Sequence, residues 1–115
     1  MVDRAANPME AMADRVREIL MDDPNISEKR MFGGMCFMLN GNMLCGPVKS
    51  GDLMLRVGKE NEAEALATEG CREMDFTGKP MKGFVFVDAD SIDSRQKLTK
   101  WIGMAVRYVG TLPTR

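Results

Sequence analysis

Asn40-Gly41 lies between two short apolar runs, and this dipeptide constrains the fold more than any other feature of the chain. Both residues tolerate the left-handed backbone of a two-residue hairpin turn, so the flanking runs fold back on each other as antiparallel strands. Lys49-Ser50-Gly51-Asp52 supplies a second turn, and the region from Lys29 to Val57 reads as three antiparallel strands. In the third, Leu53, Leu55 and Val57 alternate with Asp52, Met54 and Arg56, the pattern of a strand with one buried and one wetted face. Gly33-Gly34 falls inside the first strand, where two residues without Cβ predict a bulge or sharp bend.

Helical patterns frame these strands. Asn7-Pro8 reads as N-cap and first helical residue, and Met12, Val16, Ile19 and Leu20 recur at helical spacing until Asp22-Asp23-Pro24. Asn61 to Glu69 predicts a short second helix, with Ala63, Leu66 and Ala67 on one side and Gly70 as its stop. Cys71 to Phe76 and Gly83 to Val87 read as two further strands joined by a loop over residues 77–82. After Asp88-Ala89-Asp90-Ser91, which offers capping side chains, Leu98, Trp101, Ile102, Ala105, Tyr108 and Val109 mark a final amphipathic helix ending at Gly110.

The expected order is α-β-β-β-α-β-β-α, in one domain over residues 1–115 with its core at about 8–110. That is an α+β class: a two-layer arrangement of antiparallel sheet and helices. The helices should cover one sheet face and bury Leu53, Leu55, Phe84 and Phe86. If the first and last helices share that face, the other is left to water or to a partner.

At 115 residues one ordinary core is sustainable without disulfides or metal, and no stretch approaches the roughly 18 consecutive apolar residues of a membrane span. Met1-Val2-Asp3-Arg4 leads into a polar segment and not into the apolar run of a signal peptide, so a cytoplasmic location with no membrane partner is expected. Cys36, Cys45 and Cys71 lack zinc-ribbon or C-x-x-C spacing and read as free thiols; the first two flank the hairpin turn and behave best as small buried hydrophobes. Sixteen Lys and Arg against 17 Asp and Glu give a formal charge of -1, which disfavours direct DNA binding. Arg95, Lys97, Lys100, Arg107 and Arg115 run without an intervening acid, a pattern that a solvated helix face also produces.

The chain has no histidine, which removes the usual neutral-pH base, every Ser-His-Asp or Cys-His arrangement, and the commonest transition-metal ligand. Asp75, Asp88 and Asp90 sit at strand ends, where carboxylates ordinarily face water or cap a helix. Neither Met31-Phe32-Gly33-Gly34 nor Gly78-Lys79-Pro80-Met81 fits the P-loop or the dinucleotide turn. No catalytic residue, metal site or cofactor is expected. Methionine, at 12 residues, fills irregular gaps, and on exposed strands makes adaptable protein-binding surface.

Arg30-Met31-Phe32-Gly33-Gly34, Leu53-Met54-Leu55-Arg56-Val57, Gly78-Lys79-Pro80-Met81 and the Trp101-bearing helix together resemble the N-terminal domain of the TfoX/Sxy competence-regulator family, over about residues 8 to 110. The resemblance implies a two-layer fold like that of type III secretion chaperones. It also points toward a regulatory role, since larger members are implicated in switching on DNA-uptake genes; they carry a second, C-terminal domain that this chain is expected to lack, and likeness of one domain does not by itself carry that role over. The leading expectation is a non-catalytic interaction domain that binds a protein partner, with a homodimer as one candidate. Arg30, Met31, Phe32, Gly33, Gly34, Arg56, Gly78, Lys79, Pro80 and Met81 are its candidate interaction residues. The alternatives are a small-molecule or anion-binding module built on Arg30, Arg56 and Lys79 around Gly33-Gly34, and a nucleic-acid-binding domain using the basic final helix.

Overall fold

A computed structural model of the chain describes residues 7–31, 34–76 and 79–115. Helix α1 (Pro8–Leu20) begins where Asn7 accepts a hydrogen bond from the Glu10 N–H at 3.2 Å, and it buries Met12, Ala13, Val16 and Leu20 along one stripe. Strands β1 (Ile26–Met31), β2 (Gly34–Leu39), β3 (Asn42–Pro47) and β4 (Leu53–Arg56) follow, then helix α2 (Lys59–Leu66). Strands β5 (Cys71–Phe76) and β6 (Lys79–Val87), a 3-10 turn (Ala89–Ile92) and helix α3 (Arg95–Val109) complete the chain. The six strands form one antiparallel sheet in the order β1-β2-β3-β4-β6-β5.

The α+β class and the succession of helical and strand blocks are those expected, with one more strand in the first block. Met31 pairs with Gly34, so β1 and β2 are two arms of a hairpin and not one bent strand. Gly33, half of the expected bend, lies outside the described residues, as do Phe32, Thr77 and Gly78. The Asn40-Gly41 turn forms with φ of 54° and 81°, the left-handed values its sequence anticipates. An irregularity between Phe37 and Met38 in the β2–β3 ladder sends both Leu44 and Cys45 into the same core cluster. The second hairpin differs too, since β6 already begins at Lys79, within the stretch expected to be loop.

Two helix details depart from expectation. In α2 the buried residue is Ala65, with Leu66 half-buried, while Ala63 and Ala67 are exposed. Helix α3 is capped by Ser94, whose side chain accepts from the Lys97 N–H at 3.1 Å; residues 89–92 instead form the 3-10 turn that buries Ile92.

All three helices contribute to one core against one sheet face: Val16 and Leu20 of α1, Ala65 of α2, and Leu98, Ile102 and Val109 of α3 pack with Phe37, Leu53, Leu55, Val85 and Val87. Each such Val, Leu, Ile or Phe side chain, fully buried, stabilises the fold by about 1.5–3 kcal/mol relative to exposure. Long-range polar contacts tie the layers. Arg15 of α1 donates to the carbonyls of Ile92 at 2.6 Å and Ser94 at 3.4 Å, fastening α1 to the start of α3. Asn42, buried at 5% exposure, donates to the Pro113 carbonyl at 2.9 Å, and the Arg115 N–H donates to the Asn40 carbonyl at 2.9 Å. The C-terminal tail is thereby docked on the β2–β3 turn. No helix among the described residues is long and apolar enough to cross a membrane.

Candidate interaction face

Directly paired residues in adjacent strands project to the same side of a sheet, so register assigns every side chain to a face. Leu53 pairs with Val87 and Leu55 with Val85, and these four lie under the helices. Met54 pairs with Phe86 and Arg56 with Phe84, on the other side. This corrects two expectations. Phe84 and Phe86 do not join Leu53 and Leu55 beneath the helices, and the Met54 face is not wetted, since Met54 is only 6% exposed.

That second face carries a separate apolar cluster. Cys36, Met54 and Met74 are buried in it, and Met38, Met43, Met81, Phe84 and Phe86 pack half-buried around them. Gly46, which pairs with Met54, adds no side chain there; a Cβ at this position would stand 2.0 Å from the Met35 carbonyl oxygen, so the backbone of β2 closes over it. Thioethers and phenyl rings laid side by side on an open sheet make adaptable contact surface. Among the described residues, no helix lies over this cluster.

Charge is unevenly placed along the face. At one end of β4 and β6, the Arg72 guanidinium bonds Asp52 at 2.7 Å and Asp88 at 3.1 Å while resting 5.0 Å from the Phe86 ring centre. Asp52 also accepts from the Ala89 N–H at 3.0 Å. At the opposite end of β4, the Arg56 guanidinium lies 5.4 Å from the Phe84 ring and 6.0 Å from the Tyr108 ring. Among the described residues it has no carboxylate partner. Its positive charge is met by ring quadrupoles, worth about 0.5–1 kcal/mol at an exposed site.

The candidate residues from the sequence do not converge on one site. Arg30, Met31 and Gly34 belong to the β1–β2 hairpin at one edge of the sheet, whereas Lys79, Pro80 and Met81 belong to β6, next to the opposite edge. With strands about 4.8 Å apart, β1 and β6 are separated by roughly 19 Å. Arg30, Arg56 and Lys79 therefore do not form a common anion cradle. Arg56 and Met81 do belong to the second face; Phe32, Gly33 and Gly78 lie outside the described residues. Met54, Arg72, Met74, Phe84 and Phe86 were not among the candidates. The signal for them was the alternation of Phe84 and Phe86 with Val85 and Val87, readable only once the partner strand is known.

The basic final helix is partly neutralised, since Arg95 pairs with Glu18 and Lys97 lies 3.4 Å from Asp93. Lys97 and Lys100 also border a cleft of about 390 Å³ between α2 and α3, floored by Trp101 and Met104 and faced by Glu64, Glu69 and Asp90. All three cysteines are free, and Cys36 and Cys45 enter opposite faces of the sheet instead of facing each other. Burial raises every thiol above its ordinary value; Cys71, with Asp88 adding to the effect and Arg72 opposing it, is pushed up to about 11. None is poised as a thiolate at neutral pH. Among the described residues, no three Cys, Asp or Glu side chains gather in a way that would hold a metal ion.

The model of the TfoX N-terminal domain family matches residues 18–108, most of the chain. Neither a curated protein nor a solved structure matches it.

Proposed function

Because the chain belongs to the TfoX N-terminal domain family, we propose that it is a non-catalytic regulatory domain that acts by binding protein through the Met- and Phe-rich face of its sheet, in control of DNA-uptake competence. The observation that carries this reading is the second apolar cluster, built on the sheet side opposite the three helices. A stable monomer rarely leaves contiguous apolar surface of this kind without a use for it. The family supplies the regulatory setting; the face supplies a means that needs no bond-making group.

The test is genetic and physical together. Met38 and Phe86 are half-buried on the face and their side chains make no hydrogen bond among the described residues, so Met38→Lys with Phe86→Lys changes the surface while the helix-side core stays intact. Cells carrying that double substitution should match cells lacking the gene in DNA uptake, with normal protein levels and an unchanged circular dichroism spectrum. Wild-type uptake in the gene deletion would end the competence assignment. Wild-type uptake in the face variant, where the deletion is defective, would end the role of the face.

A further inference from the structure

The charges on the sheet face are segregated to its two ends. Asp52 immediately precedes β4 and Asp88 immediately follows β6, and both join Arg72 at one end of the face. Two carboxylates against one guanidinium leave that end with a net negative charge. Arg56 closes the other end of β4, paired across the ladder with Phe84. Arg56 stands four positions after Asp52, about 13 Å at roughly 3.3 Å per residue. Between the charged ends lies apolar surface: Met54, Phe84 and Phe86.

We propose that two copies of this chain pack sheet against sheet through this face, about a twofold axis that crosses β4 and β6 at right angles to the strands, so that Arg56 of each copy meets the Asp52–Asp88–Arg72 cluster of the other. The inference rests on the interaction reading above and names the occupant of the face. A twofold axis running along the strands would set Arg56 against Arg56 and carboxylates against carboxylates; the crossing axis reverses strand direction and brings opposite charges together at both ends. An unrelated acidic partner would satisfy Arg56 but set its own carboxylates against Asp52 and Asp88. A second copy satisfies both ends at once. An apolar centre with charges at its margins is also the anatomy of a protein interface, and thioethers adapt to the side chains facing them. The formal charge of -1 per chain adds little general repulsion between copies.

The experiment is sedimentation equilibrium of the whole chain up to about 500 µM, a range that covers weak as well as tight self-association. Wild-type protein should be dimeric in the upper part of that range. Arg56→Glu and Asp88→Lys, each on a partly exposed side chain, should weaken the dimer at least about tenfold, and the double variant Arg56→Glu with Asp88→Lys should recover most of the loss. Asp52 is left unchanged because it also bonds the Ala89 N–H. Lys100→Glu, on the helix side, should leave association unchanged, and thermal melts of each variant confirm folding. A wild-type chain that stays monomeric throughout, a dimer indifferent to both single changes, or a double variant as weak as the sum of its parts overturns the self-pairing. If the chain is monomeric while the Met38 and Phe86 substitutions still abolish DNA uptake, only the self-pairing falls; if those substitutions are silent as well, the interaction reading falls with it.

Discussion

Gly58 offers the sharpest test of the packing between β4, α2 and α3. It precedes α2 with φ 89° and ψ 152°, close to a backbone region that essentially only glycine occupies. One side of it is closed by backbone, since the N–H groups of Val57 and Gly58 both donate to the Gly83 carbonyl, at 2.9 and 3.0 Å. The other is closed by Tyr108: a Cβ on residue 58 would stand 2.5 Å from ring atom Cδ1 and 2.7 Å from Cε1. Gly58→Ala thus carries two separable costs. The backbone conformation costs about 1–3 kcal/mol for a residue with a side chain. Displacing the Tyr108 ring, which also lies against Arg56, costs about 1–3 kcal/mol more, the usual range for overpacking. The expected total is about 2–6 kcal/mol. Urea unfolding with an m-value of about 2 kcal/mol/M would register this as a midpoint lower by about 1–3 M. In a Tyr108→Ala background the ring is gone and only the backbone part should remain, so the two substitutions should show a coupling of about 1–3 kcal/mol. A Gly58→Ala cost below about 1 kcal/mol would refute both parts of the reasoning. Equal costs in the two backgrounds would refute the ring contact alone.

Three further outcomes follow from named contacts. Arg15→Met keeps the aliphatic stem but strips the charged donor from the Ile92 and Ser94 carbonyls, and should cost about 1.5–3 kcal/mol in the same urea assay, with local hydrogen exchange rising over residues 89–95. Asn42→Ala leaves the Pro113 carbonyl without its donor, and should cost about 1 kcal/mol and expose residues 111–115 to carboxypeptidase. The hydrogen bond from Arg17 holds the Glu28 carboxyl below its ordinary value. The sign follows: the ion pair's stabilisation is complete above the unfolded value near pH 4.3 and is lost as pH falls through the lower folded value. Glu28→Gln should remove that part of the acid dependence, an effect of about 0.2–1 kcal/mol for so exposed a pair, read from unfolding midpoints at pH 7 and pH 3.

What could be read from the residues alone was local. Asn7-Pro8 set the start of α1, Asn40-Gly41 set a hairpin and Gly51 a turn, because caps and left-handed backbone depend on a few adjacent side chains. The α+β class and the order of its blocks follow from those signals, and short motifs pointed to the family. Tertiary structure alone decided which side chains meet. Alternation divides Phe84 and Phe86 from Val85 and Val87, yet it is silent on which pair faces the helices; that answer lies in the ladder with β4, where Leu53 opposes Val87. The same register placed Met54, Arg56 and Arg72 on the outer face, where Arg72 also bonds Asp52. Arg15 with Ile92 and Asn42 with Pro113 span 77 and 71 positions, distances over which no sequence pattern operates. Strand order, finally, separated Arg30 from Lys79 across the sheet, although each stood in or beside a glycine-bearing motif. Periodicity records which residues share a side of one element, and only pairing between elements gives that side a neighbour.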